Sequence, residues 1–286
     1  MSTLPSYEPD VSDLTPAAAR TKLRVAFLNA TACYVLSFLA VSWVYQGAQV
    51  MMARRVGVPS KWGLNGVRFA LGDGGWRRDM VLGIYAAGPV LVLGLGTVAF
   101  ALFWIWMRWE RGLLKLLLLW LVLHSLNTVL GGLLADTVTQ SGSWYVPNWL
   151  LSAGTWPSTV MGLVFGMVQL LLGFLLAVPF LQSQDSLTVL QLERRPQLVL
   201  YTIAGPWLVG SLLLALGKAP LLSVNEVLHY ISLGLLLVPL SLGCLQEYYS
   251  EGEVQPNPSR VAWGLVLLAV GALVAWRLLL SHEAIA

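Results

Sequence analysis

Seven runs of mostly apolar residues, each long enough to cross a bilayer, take up more than half of this chain. A helical crossing needs about 20 residues, because the hydrocarbon core is about 30 Å thick. In lipid the backbone polar groups must bond within the segment, so such runs predict helices. The predicted crossings are Val25–Met51, Met80–Trp106, Leu113–Leu134, Ser158–Leu181, Leu198–Leu216, Val224–Gln246 and Val261–Leu280. We therefore expect an all-α, polytopic transmembrane bundle.

The composition agrees with this fold class, since 57% of the residues are hydrophobic and 11% are charged. Residues 1–19 differ because they are acidic and interrupted by prolines, which predicts a disordered tail ahead of a single transmembrane domain over residues 20–286. The net charge of +3 comes from basic residues beside helix ends. This favours membrane lipid as a partner, with another membrane protein as a second class, and no nucleic acid. The expected location is the cell membrane, as a multi-pass protein of the bacterial cytoplasmic membrane.

The first predicted helix ends in YQGAQ at positions 45–49, followed by a basic pair and Gly-Val-Pro at positions 57–59. A second pattern, VRFALGDGG, occupies positions 67–75. Together they resemble the first motif and the following hairpin of the site-2 protease family of intramembrane zinc metalloproteases. The resemblance implies a short β-hairpin after the first helix. It also implies a later helix with an Asn-x-x-Pro and an Asp-Gly pattern. For this helix the chain offers Asn127 and, just past the predicted helix end, Asp136, without the family's proline or following glycine.

The motif departs from the family at every position that carries its chemistry. Active members have His-Glu-x-x-His, in which two imidazoles bind zinc and the carboxylate handles the proton of water. Here those positions hold Tyr45, Gln46 and Gln49. An amide cannot act as a general base, and neither a phenol nor an amide is a good zinc ligand. The sequence therefore favours a non-catalytic scaffold over an enzyme, with no metal and no cofactor.

Polar residues inside the apolar runs are the other candidates for a site, because such residues usually face the bundle interior or a wet cavity. His124, Asn127 and Thr128 share one face of the third predicted helix, and Asp136 extends that face. They could bind a polar ligand, relay a proton or hold a metal, or they could form interhelical hydrogen bonds. Glu226 and His229 lie one turn apart in the sixth helix. There they could form a site, or Glu226 could complement the dipole of a helix N-terminus at the membrane surface.

Two further sequence features bear on these candidates. Gln169 in the fourth predicted helix is a candidate for interhelical hydrogen bonding. The loop from Asp136 to Ser158 lacks basic residues and is rich in aromatic ones, which suits either an interfacial helix or a lid over a cavity.

Three functions remain open from the sequence. The first is a non-catalytic binding or regulatory protein on a site-2-protease-like scaffold. The second is a transporter of a small molecule or lipid, and the third is an intramembrane enzyme that uses His124, Glu226 and His229. The deciding observation is whether the polar residues converge in one pocket.

Overall fold

The computed structural model describes residues 16–146, 152, 154–184, 190–246, 260–281 and 284–285. Seven helices in this part of the chain are long and apolar enough to cross a membrane, which confirms the predicted multi-pass helical bundle. The helices are α1 (Pro16–Arg55), α2 (Arg78–Met107), α3 (Leu114–Thr139), α4 (Thr155–Leu175), α5 (Arg195–Lys218), α6 (Val224–Cys244) and α7 (Trp263–Ser281).

Helix bounds differ most from the prediction at three places. α1 begins at Pro16, so residues 16–19 are helical although we assigned them to the disordered tail; residues 1–15 lie outside the described residues. The fourth predicted crossing is divided, because α4 ends at Leu175 and a short helix follows over Ala177–Gln182. Pro179 lies four residues after Leu175 and has no N–H to donate to its carbonyl, which accounts for the break.

The third difference concerns the candidate site. α3 runs five residues beyond the predicted end, through a π-helical turn at Asn127–Gly131 and on to Thr139. The hydroxyls of Thr137 and Thr139 bond back to carbonyls four residues earlier, at 2.8 Å each, so these polar residues are satisfied inside the helix. Asp136 therefore lies within α3 and not past its end.

The expected hairpin follows α1. Strands β1 (Ser60–Gly63) and β2 (Gly66–Phe69) pair antiparallel, with Ser60 opposite Phe69. A third short strand, β3 (Ala284–Ile285), pairs with the other edge of β1, which gives the order β2-β1-β3. The backbone N–H of Leu64 also donates to the carbonyl of Leu280 at 3.1 Å. The hairpin is thus fixed to the ends of both α1 and α7.

α1 is the central helix of the bundle and packs against α2, α3, α5 and α7. The largest buried side chains of the core include Tyr34, Phe103, Trp120 and Phe180. α4 packs closely on the second half of α6, because a Cβ at Gly173 would overlap the carbonyl oxygen of Leu236. Small residues at such contacts are typical of membrane helices, which associate mainly by close packing.

Consecutive crossings run in opposite directions, so the hairpin shares one membrane face with the loop after α3 and the turn between α5 and α6. We call this side the hairpin face. Its exposed basic residues, which we call the basic rim, are Arg54, Arg55, Lys61, Arg68, Arg77 and Arg78. The exposed basic residues of the opposite face in the described chain are Arg20, Arg24, Arg111 and Arg260.

Candidate functional site: a polar cavity at the hairpin face

A cavity of about 370 Å³ opens at the hairpin end of the bundle, a volume that suits a small-molecule ligand. Its walls come from the end of α1, the hairpin, the ends of α3 and α5, the loop after α3 and the start of α6. The polar side chains that line it are Ser42, Tyr45, Gln46, Gln49, Asn65, Tyr85, Thr128, Asp136, Ser143, Lys218, Asn225, Glu226, His229 and Tyr230. The motif of the first helix and the polar residues of the third and sixth helices thus share one pocket.

The three motif residues of α1 line this cavity on one side. Gln46 accepts a hydrogen bond from the indole N–H of Trp62 in β1 at 2.5 Å. Gln49 donates to the hydroxyl of Ser143 at 3.0 Å. Tyr45 packs on Gly88 of α2, where a Cβ would lie 2.9 Å from its ring. The two amides therefore bind the hairpin and the loop after α3 to the end of α1.

Asp136 lies across the cavity on α3 and is 4% exposed. Its Oδ1 accepts a hydrogen bond from the side-chain amide of Asn225, and its Oδ2 accepts one from the backbone N–H of Trp144, both at 2.9 Å. The amide of Asn225 also donates to Thr139 at 2.9 Å. These bonds join α3, α6 and the covering loop around one carboxylate.

Glu226 lies in the first turn of α6, where the sequence predicted that it could complement the helix dipole. There it forms a capping box with Ser223. Its carboxylate accepts from the backbone N–H of Ser223 at 3.0 Å, while its own N–H donates to the Ser223 hydroxyl at 3.3 Å. The same carboxylate is ion-paired with Lys218 at the end of α5. Lys218 is 5% exposed and its ammonium lies 5.9 Å from the ring centre of Trp276. Glu226 therefore both caps α6 and neutralises a buried lysine.

His229, one turn beyond Glu226, faces Asp136 with 4.0 Å between Nε2 and Oδ1. Gly132 of α3 makes room for this ring, because a Cβ there would lie 2.9 Å from His229 Cε1. The distance from Nε2 to Oδ1 exceeds that of a direct hydrogen bond. An imidazole and a carboxylate therefore face each other across a gap in the cavity wall.

Asn127 and His124 do not line the cavity, although Thr128 does. Asn127 donates to the carbonyl of His229 at 2.8 Å and accepts from Gln169 and Ser232 at 3.1 Å each. This confirms the interhelical bonding predicted for Gln169 and favours the same role for Asn127. His124 is buried in the core, with its ring centre 4.5 Å from that of Tyr34 and 5.9 Å from that of Trp120.

The loop after α3 covers part of the cavity. Ser143, Trp144 and Val146 line it, and Tyr145 lines a neighbouring pocket, whereas Trp156 is 75% exposed at the start of α4. Trp149, also part of the predicted aromatic loop, lies outside the described residues. The covering role proposed for this loop therefore applies to its first part.

Sequence reasoning missed Lys218, Asn225 and Ser143. The predicted fifth crossing ends at Leu216 and the sixth begins at Val224, so these spans leave Lys218 in the connection between them. The short turn from Lys218 to Ser223 returns the chain at once into α6, which brings Lys218 beside Glu226. The short separation of Lys218 and Glu226 in the sequence could have indicated this ion pair.

No group of three or more His, Cys, Asp or Glu side chains that could hold a metal ion occurs in the part of the chain that the structure describes. Comparison with protein-family models, with curated proteins and with solved structures finds no match to this chain.

Proposed function

We propose that this chain is a non-catalytic binding protein of the bacterial cytoplasmic membrane, built on a site-2-protease-like scaffold. The observation that carries the proposal is the presence of Tyr45, Gln46, Gln49 and Asp136 in one polar cavity next to the hairpin. The resemblance implies two His and a Glu at the α1 positions of an active member and an Asp on a later helix. Here the α1 positions carry a phenol and two amides, which can hydrogen-bond a ligand but do not activate water.

The hydrogen bonds of the two amides support a binding role. Gln46 is hydrogen-bonded to Trp62 and Gln49 to Ser143, so both side chains hold the walls of the cavity in place. A preformed, walled cavity with a few polar groups is the usual form of a ligand site. The bound molecule in this proposal is a membrane lipid or a small polar molecule, because a cavity of about 370 Å³ suits a small ligand.

The geometry favours binding over the two alternative functions. The residues that line the cavity come from the helix ends at the hairpin face. This position suits a ligand that enters and leaves at that face better than one transported through the bundle. The enzyme hypothesis requires His124 to converge with Glu226 and His229, but His124 packs against Tyr34 and Trp120 outside the cavity.

A matched pair of cavity variants tests the proposal. Thr128→Trp places a large side chain in the cavity, whereas Thr97→Trp places the same side chain on the exposed side of α2. Native mass spectrometry of the purified full-length protein should reveal a bound non-protein mass in the wild type and in Thr97→Trp but not in Thr128→Trp. A bound mass that persists in Thr128→Trp contradicts binding in this cavity. Stoichiometric zinc in the wild type, or zinc-dependent cleavage of a membrane-embedded peptide, contradicts the non-catalytic assignment.

A further inference from the structure

The charges that line the cavity do not balance. Lys218 and Glu226 form an ion pair and neutralise each other. Asp136 remains as one negative charge, and within the described residues no Lys or Arg side chain lies within 4.0 Å of it. A carboxylate at membrane depth is costly unless a partner compensates its charge. The cavity therefore favours a cation.

The hydrogen-bonding groups around Asp136 indicate what kind of cation fits. Its oxygens accept bonds from the side chain of Asn225 and from the backbone N–H groups of Ser143 and Trp144, and a carboxylate has about four acceptor positions. With its proton on Nδ1, the His229 ring offers Nε2 as a second acceptor, 4.0 Å from Oδ1. A nitrogen with several N–H groups can donate to both atoms at about 2.9 Å each.

The remaining walls suit an organic cation better than a bare metal ion. The cavity is lined by aromatic rings from several elements, namely Phe38, Tyr45, Phe69, Tyr85, Trp144, Tyr230 and Trp276. Aromatic faces attract ammonium groups through the quadrupole of the ring. A metal ion would require more anionic or imidazole ligands than the described residues bring together.

We propose that the cavity binds its ligand through an ammonium group held between the Asp136 carboxylate and His229 Nε2. This inference rests on the proposed binding function and adds the chemical class of the ligand. The ammonium group comes either from a soluble amine or from the headgroup of a lipid such as phosphatidylethanolamine.

Isothermal titration of the full-length protein in dodecyl maltoside, which has no ammonium group, tests the proposal with two matched probes. These are 2-phenylethylammonium and 2-phenylethanol, which differ in the charged nitrogen. We expect the amine to bind at one site and at least about tenfold more tightly than the alcohol, because only the amine can form a charge-assisted hydrogen bond with the Asp136 carboxylate. Equal binding of the two probes, or binding of neither, overturns the proposal.

Two carboxylate variants test whether the preference for the amine depends on Asp136. Asp136→Asn keeps the shape of the side chain and removes its charge, so it should abolish the preference for the amine. Asp79→Asn removes the same charge from an exposed side chain on the hairpin face and should leave the preference unchanged. An equal loss in both variants overturns the proposal. Should Asp136→Asn not fold, His229→Leu removes the second acceptor and is expected to reduce amine affinity, and unchanged affinity overturns the proposal.

A competition step distinguishes the two sources of ammonium. Displacement of the amine by phosphatidylethanolamine, but not by phosphatidylglycerol, identifies a lipid headgroup as the ligand, whereas no displacement by either lipid identifies a soluble amine. This test is independent of zinc content and of the Thr128→Trp result. Failure of the ammonium proposal is therefore distinguishable from failure of the proposed function.

Discussion

Asn127 holds the helix junction behind the cavity, and its removal gives a quantitative test of the structure. Its amide donates to the carbonyl of His229 at 2.8 Å, and its oxygen accepts from Gln169 and Ser232 at 3.1 Å each. In Asn127→Ala, Ser232 keeps a partner, because its hydroxyl also lies 3.0 Å from the carbonyl of His229. The carbonyl of His229 keeps the same hydroxyl as its donor, so three bonds are removed and, among the described residues, the side-chain amide of Gln169 is left without its partner.

The expected cost follows from measured bonds of this kind. Side-chain hydrogen bonds between membrane helices average about 0.6 kcal/mol and reach about 1.7 kcal/mol, so Asn127→Ala should lower the free energy of unfolding by about 1 to 3 kcal/mol. Reversible unfolding by steric trapping in bicelles measures this change. A double-mutant cycle with Gln169→Ala should give a coupling of about 0.6 kcal/mol, because Gln169 is fully buried and bonds to Asn127.

A matched control separates this effect from the loss of any polar group. The hydroxyl of Thr97 is exposed on α2 and bonds to the carbonyl of Leu93 in the same helix, so Thr97→Ala should change stability by less than about 0.5 kcal/mol. If Asn127→Ala is as stable as this control and shows no coupling to Gln169→Ala, then Asn127 does not hold the helix junction.

Three further predictions concern the ion pair, the helix contact and the orientation. Lys218→Met leaves Glu226 without its cation and should destabilise the protein by about 3 kcal/mol, whereas Lys218→Met combined with Glu226→Gln should recover most of this in the same unfolding assay. Gly173→Ala should weaken the contact of α4 with α6, because the new methyl group meets backbone, and the thermal midpoint in detergent should fall below that of the wild type. Among the described residues, the basic rim has six exposed basic residues against four on the opposite face, which favours a cytoplasmic hairpin face. Since both native cysteines are buried, a cysteine placed at Ser141 should resist an impermeant maleimide in intact cells and one placed at Glu110 should react, and the reverse pattern contradicts this orientation.

The crossings could be predicted from the sequence because lipid requires long apolar helices whatever their neighbours are. The end of α3 could not, since Asp136 and Thr139 are polar and both bond to the side chain of Asn225, which is distant in the sequence. Only the tertiary contact shows why the helix continues to them.

The candidate site was predicted in part. The motif residues and Asp136 were identified through the family resemblance, and Glu226 and His229 through their spacing in an apolar run. His124 has the same chemistry as His229 and a similar apolar setting in the sequence, yet it faces Tyr34 and Trp120 in the core. Which of two such residues reaches a cavity depends on helix rotation, and the sequence of one helix does not determine that.

We propose that the α1 motif and Asp136 occupy the metal-site positions of a site-2-protease-like scaffold without its ligands. Zinc analysis of the combined variant Tyr45→His, Gln46→Glu, Gln49→His tests this proposal, because these changes supply two imidazoles and a carboxylate in the cavity that Asp136 also lines. In protein that elutes as the wild type does, we expect one zinc ion per chain, lost on further substitution Asp136→Asn, and no stoichiometric zinc in the wild type. A folded variant that binds no zinc, or binds it equally well without Asp136, contradicts the account.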